Sequence, residues 1–346
     1  MKRLNANPLL EPADITPTRE DFEVVATFNP AAVRVGNETI LLVRVAERPI
    51  AEGDEVPVAV HDAEAGRMKI IRIDRSESVA DTSDPRLVGY KGQTLLTSIS
   101  HIRVARSSDG VNFTFDANPA IAPTTPYEAY GCEDARVTCI DGRYYVSYSA
   151  VSGWGVTVAL AVTDDFRTFR RLGIIFPPYN KDVCIFPEKV GGMYVCRHRP
   201  FKSKFNQACI WTAYSSDLVS WGRHAMTMEP LAGTWQSERV GCGGTPIRTE
   251  AGWLEIFHAS DDDGRYCLGA MLSDLEQPER LLHRSSRPVL LAETDYERTG
   301  LYGDCVFSNG LIERPDGTLR VYYGAGDSVC AAAETTVEEM IAAAKR

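Results

Sequence analysis

Asp217-Leu218-Val219-Ser220-Trp221 follows a run of strand-forming residues, and the same arrangement stands at Asp109-Gly110-Val111-Asn112-Phe113 and at Asp165-Phe166-Arg167-Thr168-Phe169. One Asp in a turn, with an aromatic residue shortly after it, is ordinary turn chemistry. Recurrence is not ordinary. Related dipeptides at His61-Asp62, Ser273-Asp274 and Gly326-Asp327 extend the series to a period of roughly 50 to 60 residues, that of a four-stranded blade with decorated loops.

Hairpin signals carry the same rhythm. Gly36-Asn37 precedes Ile40-Leu41-Leu42-Val43, Gly92 precedes Leu95-Leu96, and Asp141-Gly142 precedes Tyr144-Tyr145-Val146. Gly191-Gly192, Gly252 and Asp316-Gly317 introduce three more apolar runs, so six strand-and-turn units can be counted. Helix signals are confined to the C-terminal end, where Thr335-Thr336 precede Val337-Glu338-Glu339 and predict a short helix at about 335–345. The expected fold is all-β, a single β-propeller domain over 1–346. Its site should lie on the central axis, where the innermost strands converge.

The formal net charge of -10 argues against a nucleic-acid or anionic-membrane partner, but not against a small anion held by a local cationic cluster. No apolar stretch approaches the roughly 20 residues of a membrane span. Met1-Lys2-Arg3-Leu4-Asn5 lacks the apolar core of a signal peptide. The nine Cys stand singly, without a C-x-x-C pair. The expectation is therefore reduced thiols, a cytoplasmic location and no metal site.

Gly131-Cys132-Glu133-Asp134-Ala135-Arg136 is the densest chemistry in the chain. Adjacent carboxylates followed by a guanidinium, just after the aromatic-rich loop Tyr127 to Tyr130, have the composition of a sugar site; a surface ion pair is the plainer alternative. Lys181, Arg199, Arg239 and His258 form a second set at strand starts and ends. Cations gathered together repel unless an anion sits among them, and Arg geometry suits phosphate oxygens. Singly, each is an ordinary solvated charge. Gly241-Cys242-Gly243-Gly244 reads as a tight turn or a close backbone approach, and no nucleophile or nucleotide motif competes.

These motifs, with Phe186-Pro187-Glu188-Lys189, His198-Arg199-Pro200, Thr245-Pro246-Ile247 and Tyr322-Tyr323-Gly324-Ala325-Gly326-Asp327, resemble glycoside hydrolase family 130, the β-mannoside phosphorylases and their relatives. The resemblance runs from about Asn29 to Asp327. It implies a five-bladed propeller, one blade fewer than the six units counted. It implies Asp134 as general acid, acting through the mannose 3-hydroxyl, and Lys181, Arg199, Arg239 and His258 as phosphate ligands. Asn29, Arg44, Ser98, Glu133, Arg136, Tyr148 and Asp304 become the expected sugar-binding residues. An inverting glycosidase needs a second carboxylate to activate water; a phosphorylase does not, because phosphate is already a nucleophile. The expected reaction is phosphorolysis of a non-reducing-end β-mannoside, nearest to the β-1,2-mannobiose and oligomannoside branch. It yields α-D-mannose 1-phosphate with no cofactor beyond inorganic phosphate as co-substrate. Departures from the family pattern are Lys181 for Arg, Ala135 for Pro and Phe257-His258-Ala259 for Tyr-His-Gly. Alternatives are a phosphate-independent β-mannosidase, a phosphorylase of β-1,4-mannosyl-N-acetylglucosamine or mannosyl-glucose, and a propeller that only binds glycans. Homo-oligomerisation is left open.

Overall fold

The computed structural model describes residues 1–76, 84 and 86–346. Nearly all regular structure is strand; antiparallel pairing divides most strands into five groups, of which the fifth, first and second are joined into one sheet by short parallel pairings of Ala31 and Ala32 with Asn309 and Gly310 and of Gly131 with Ser100. The first contains Phe22–Val35, Glu38–Pro49, Ile99–Ser107 and Thr114–Phe115, and the second Gly131–Ile140, Arg143–Ser152, Gly155–Thr163 and Arg170–Phe176. The third contains Asn180–Ile185, Tyr194–Pro200, Ile210–Ser215 and Trp221–Met228. In the fourth, Arg239–Cys242 and Ile247–Thr249 both pair with Gly252–Ser260, followed by Tyr266–Ser273 and Leu281–Arg284. The fifth contains Val306–Glu313, Thr318–Ala325 and Val329–Thr336, and its outer place is taken by Lys2–Arg3 from the other end of the chain.

The sixth sequence unit is not a group. His61-Asp62 and Leu95-Leu96 lie on two separate hairpins, Glu55–Asp62 with Arg67–Asp74 and Leu87–Tyr90 with Gln93–Leu96, inserted within the first group. His61-Asp62 marked the first and Gly92 the second, but each hairpin has only its own pair of strands. The C-terminal helix spans Val337–Ala344, capped by the Thr336 hydroxyl accepting from the Glu339 N–H. It starts later than expected because Thr335 and Thr336 complete the preceding strand. A second short helix, Asp295–Arg298, was not expected.

The Asp repeat has one structural job. Oδ1 of Asp109, Asp165, Asp217 and Asp274 each accepts two backbone N–H bonds, from the residues two and three further on. Each thereby closes the turn between the last two strands of its group. A short carboxylate can replace a backbone acceptor in this way, which is why Asp recurs there.

Apolar clusters join the groups in succession. Ile40, Leu42 and Val104 of the first meet Val137, Val146 and Ala159 of the second. Leu160 and Phe176 meet Val183 and Ala213 of the third. Ile210 and Met228 meet Val240 and Phe257 of the fourth, whose Leu254 and Leu268 meet Val306 and Val321 of the fifth. Tyr322 and Ala332 of the fifth in turn pack on Leu41 and Val43 of the first. Truncating a fully buried member such as Leu160 to Ala removes about 2–5 kcal/mol.

The leading strands carry the site. They bulge between Phe28 and Ala31, between Glu133 and Arg136, between Lys181 and Cys184, and between Ser308 and Gly310. Asn29, Asp134 and Asp182 sit in three of these bulges at φ of 48°, 49° and 57°. Asn and Asp tolerate this left-handed region better than other side chains, and a bulge re-aims the side chain it carries.

Candidate active site

One pocket of about 550 Å³ receives residues from the leading strand of every group or from the residue just before it: Phe28 and Asn29, Glu133 and Asp134, Lys181, Arg239, then Cys305 and Phe307. A cavity of about 610 Å³ near Leu9, Asp14, Arg103 and Phe113 holds none of the sequence-predicted chemistry. Among the described residues, the first pocket is lined by six cations, Arg44, Arg86, Lys181, Arg199, Lys202 and Arg239, against four carboxylates, Asp84, Glu133, Asp134 and Asp327. A local cationic excess in a chain of net charge -10 marks the place where an anion can be held.

Asp134 is buried and tightly held. Asn29 Nδ2 donates to its Oδ1 at 2.9 Å, Arg44 Nη1 to the same oxygen at 3.1 Å, and Lys181 Nζ stands 3.6 Å from Oδ2. Arg44 also donates from Nη2 to Glu133 Oε1 at 2.8 Å and from Nε to Ser100 Oγ at 3.0 Å. Its guanidinium lies 4.4 Å from the Phe28 ring centroid. Burial pushes the Asp134 carboxyl up, but Arg44, Lys181, the Asn29 amide and Arg136 together outweigh it and hold it at about 2. Glu133 and Asp327 go the other way. Burial, with the like charge of Asp134, raises both against the pull of their cationic neighbours.

Behind the pocket lies an anionic hub. Asp182 is buried between Arg136 Nη2 at 3.0 Å, Arg199 Nε at 2.6 Å and His258 Nε2 at 3.2 Å. Burial opposes its charge, but Arg199, His258 and Arg136 hold its carboxyl well below the usual range. His258 is lowered to about 4, by burial first and then by Arg199 and Arg136, against the pull of Asp182. Gly241 makes this packing possible. A Cβ there would stand 2.3 Å from His258 Nε2 and 2.6 Å from Asp182 Oδ2, so the close backbone approach expected of the Gly cluster is real at that position.

The pocket thus gathers Asn29, Arg44, Ser98, Glu133, Asp134, Lys181, Arg199 and Arg239 of the expected set. Four others lie elsewhere. Arg136 donates to the carbonyls of Asp134, Cys242 and Gly243 as well as to Asp182, and so works as internal bracing. His258 is fully buried behind the wall, with its ring centroid 4.1 Å from that of Phe307. The Tyr148 hydroxyl donates to Glu128 at 2.8 Å and meets Arg171 Nη1 at 3.0 Å, in a separate buried cluster. Asp304 is exposed, and Asp327 from the same group lines the pocket instead.

The sequence reading missed Asp182 as a hub and missed Arg86, which donates to Asp84 Oδ2 at 2.9 Å and to Asp327 Oδ2 at 3.1 Å. Pro85, between Asp84 and Arg86, lies outside the described residues. Asp327 lies in the turn between the second and third strands of its group, and its carboxylate lines the pocket beside Arg86.

The protein resembles known enzymes over nearly its whole length. The family model described as beta-1,4-mannooligosaccharide phosphorylase matches residues 80–346. A beta-1,2-mannobiose phosphorylase of Listeria innocua serovar 6a is 41% identical over 344 residues, 98% of this chain and 97% of that one. A 1,2-beta-oligomannan phosphorylase of a Thermoanaerobacter species is 39% identical over 237 residues, covering 67% and 77% of the two chains. The solved complex of the Listeria enzyme with beta-1,2-mannobiose superposes with a TM-score of 0.94 at 40% identity, covering 99% of this chain and 98% of that one. With its buried carboxylates and its cation-lined pocket on an all-β scaffold, the protein is an enzyme of the mannoside phosphorylase class. The chain belongs to glycoside hydrolase family 130.

Proposed function

We propose that this enzyme cleaves the non-reducing-end unit of β-1,2-mannobiose or a β-1,2-oligomannoside with inorganic phosphate, inverting the anomeric centre to give α-D-mannose 1-phosphate. The observation that carries this reading is the placing of Lys181, Arg199 and Arg239 in one pocket with Asp134. The β-1,2 linkage follows from the Listeria relative and its mannobiose complex. We further propose that the five strand groups are the blades of a five-bladed propeller forming one catalytic domain over 1–346. The cyclic succession of apolar clusters, with the fifth group packed on the first, supports this arrangement. Nine free thiols fit a cytoplasmic setting.

In the reaction, a phosphate oxygen bonds to the anomeric carbon while the glycosidic carbon–oxygen bond breaks on the opposite side. The leaving oxygen takes up a proton supplied by way of Asp134. The cations position the nucleophile and offset its desolvation. Arg199 is anchored through Nε to Asp182, and its Nη atoms make no hydrogen bond among the described residues. Arg239 Nη1 rests on the Tyr266 hydroxyl at 3.2 Å. Asp134 is ionised while the pocket holds no anion. Phosphate beside Lys181 and Arg199 counters the cations that depress it, so binding of the nucleophile raises the acid toward a protonated state. The test is incubation with β-1,2-mannobiose with and without phosphate. Mannose 1-phosphate should form only with phosphate, and equal release of free mannose in both would reject the reading. The match to the beta-1,4-mannooligosaccharide phosphorylase family model favours a second reading, β-1,4 linkage, so β-1,4-mannobiose is the parallel substrate.

A further inference from the structure

Beside the pocket runs a row of aromatic side chains that the catalytic chemistry does not use. Phe201 forms part of the pocket wall, together with Val151 and Val156. The Tyr179 ring lies next to Phe201, with centroids 5.7 Å apart, and is 58% exposed. Val151 and Val156 are paired at the end of a hairpin whose tip carries Trp154, 61% exposed. Trp154 leans on Tyr127 with centroids 5.4 Å apart, and Tyr127 is 45% exposed. Four large rings thus stand beside the pocket as two pairs, Phe201 with Tyr179 and Trp154 with Tyr127, which meet where Tyr179 packs over Gly155, the residue after Trp154.

The row is positioned by its neighbours. Gly155, at φ +108°, lies under Tyr179, and a Cβ there would stand 2.4 Å from the Tyr179 Cε1 atom. Any side chain at 155 would displace the ring. An exposed aromatic series continuous with a polar, sugar-sized pocket is unusual for bare surface. Large rigid rings lose little conformational entropy on binding and offer broad apolar faces. Pyranose rings have complementary C–H faces.

We infer that Tyr179, Trp154 and Tyr127 form an acceptor-side platform that holds the further units of a β-mannoside chain while its terminal unit lies at Asp134. This rests on the phosphorolysis reading above, since it assigns the departing portion of the substrate to this side of the pocket. The occupant is an uncharged oligosaccharide: the row itself contributes rings and no charged group. It makes Trp154 and Tyr179 determinants of chain-length preference.

The experiment compares Trp154→Ala, Tyr179→Ala and Gly155→Ala with the unaltered enzyme on β-1,2-mannobiose and on β-1,2-mannopentaose at saturating phosphate. The ratio of kcat/KM for pentaose to that for biose should fall at least fivefold in each variant, mainly through KM for pentaose. An equal loss on both substrates, or none on either, overturns the platform. Binding of mannopentaose to an Asp134→Asn background, followed by tryptophan fluorescence, separates the two claims. Binding that weakens with Trp154→Phe or Tyr179→Ala supports the platform even if phosphorolysis itself fails to appear. Molecular mass in solution is the last arm. A dimer that dissociates when Trp154 is replaced makes the row a contact between copies and overturns the proposal.

Discussion

Arg199 Nε lies 2.6 Å from Asp182 Oδ2, with the carboxylate fully buried and the guanidinium nearly so. Asp182 also meets Arg136 and His258, so one carboxylate fixes three basic side chains behind the pocket. Such a pair is costly to form, and its disruption is costlier, because an unpaired charge is left inside. The hub places a cation where the pocket needs it.

Replacing Asp182 by Asn should therefore destabilise the fold by about 3–5 kcal/mol. It should also raise the KM for phosphate, because Arg199 loses its anchor. Urea denaturation and phosphate titration at fixed mannoside measure the two effects. Unchanged stability would mean that Arg136 and Arg199 are satisfied without it.

Asp134→Asn should leave the melting temperature close to that of the parent and reduce turnover by about 10²–10⁴-fold, the usual contribution of a positioned acid. The remaining hydrogen bonds are compatible with an amide, since Arg44 and Asn29 both donate to one oxygen. Turnover within a few-fold of the parent would reassign the proton donor.

Among the described residues, Arg239 is held only by Tyr266 and, at 3.4 Å, by Glu238, and its buried Nε has no partner there. Arg239→Ala should raise the KM for phosphate at least tenfold while moving that for the mannoside by less than threefold. Initial rates over a grid of both substrates decide it. Parallel increases would show that Arg239 is no anion ligand.

Three buried histidines set an acid limit on stability. Burial is the leading cause at each and lowers His258 to about 4 and both His101 and His198 to about 3, from an ordinary value of 6.5. Between 6.5 and those values the unfolded chain binds protons that the folded chain does not, so stability rises with pH across that window. It should be greatest above 6.5 and fall steadily toward pH 4. Asp182, depressed in the folded state, adds a further loss only as pH drops below about 3.8. Melting curves at pH 7.5, 6 and 5 should show the decline, and His198→Gln should make it shallower. A flat series would contradict the burial argument.

Much of this architecture was legible from local chemistry. Asp109, Asp165 and Asp217 announced their turns because a carboxylate accepting two nearby N–H groups needs only contiguous residues. The inserted hairpins misled for the same reason: Gly92 signals a turn, but nothing nearby says that only two strands will pair. At the site, Glu133 and Asp134 stood out as adjacent charges. Asp182 did not, because its importance comes from Arg136, Arg199 and His258, up to 76 residues away in the chain. Asp304 and Tyr148 were named from the family likeness, which says nothing of exposure or partners: Asp304 is exposed, and the Tyr148 hydroxyl is taken up by Glu128 and Arg171.

The seam at Lys2–Arg3 has a consequence for biogenesis. This two-residue edge pairs with Glu334 and Ala333, and Arg3 reaches Glu297 and Glu293. That edge stays unpaired on the nascent chain until its partners, more than three hundred residues further along, have left the ribosome.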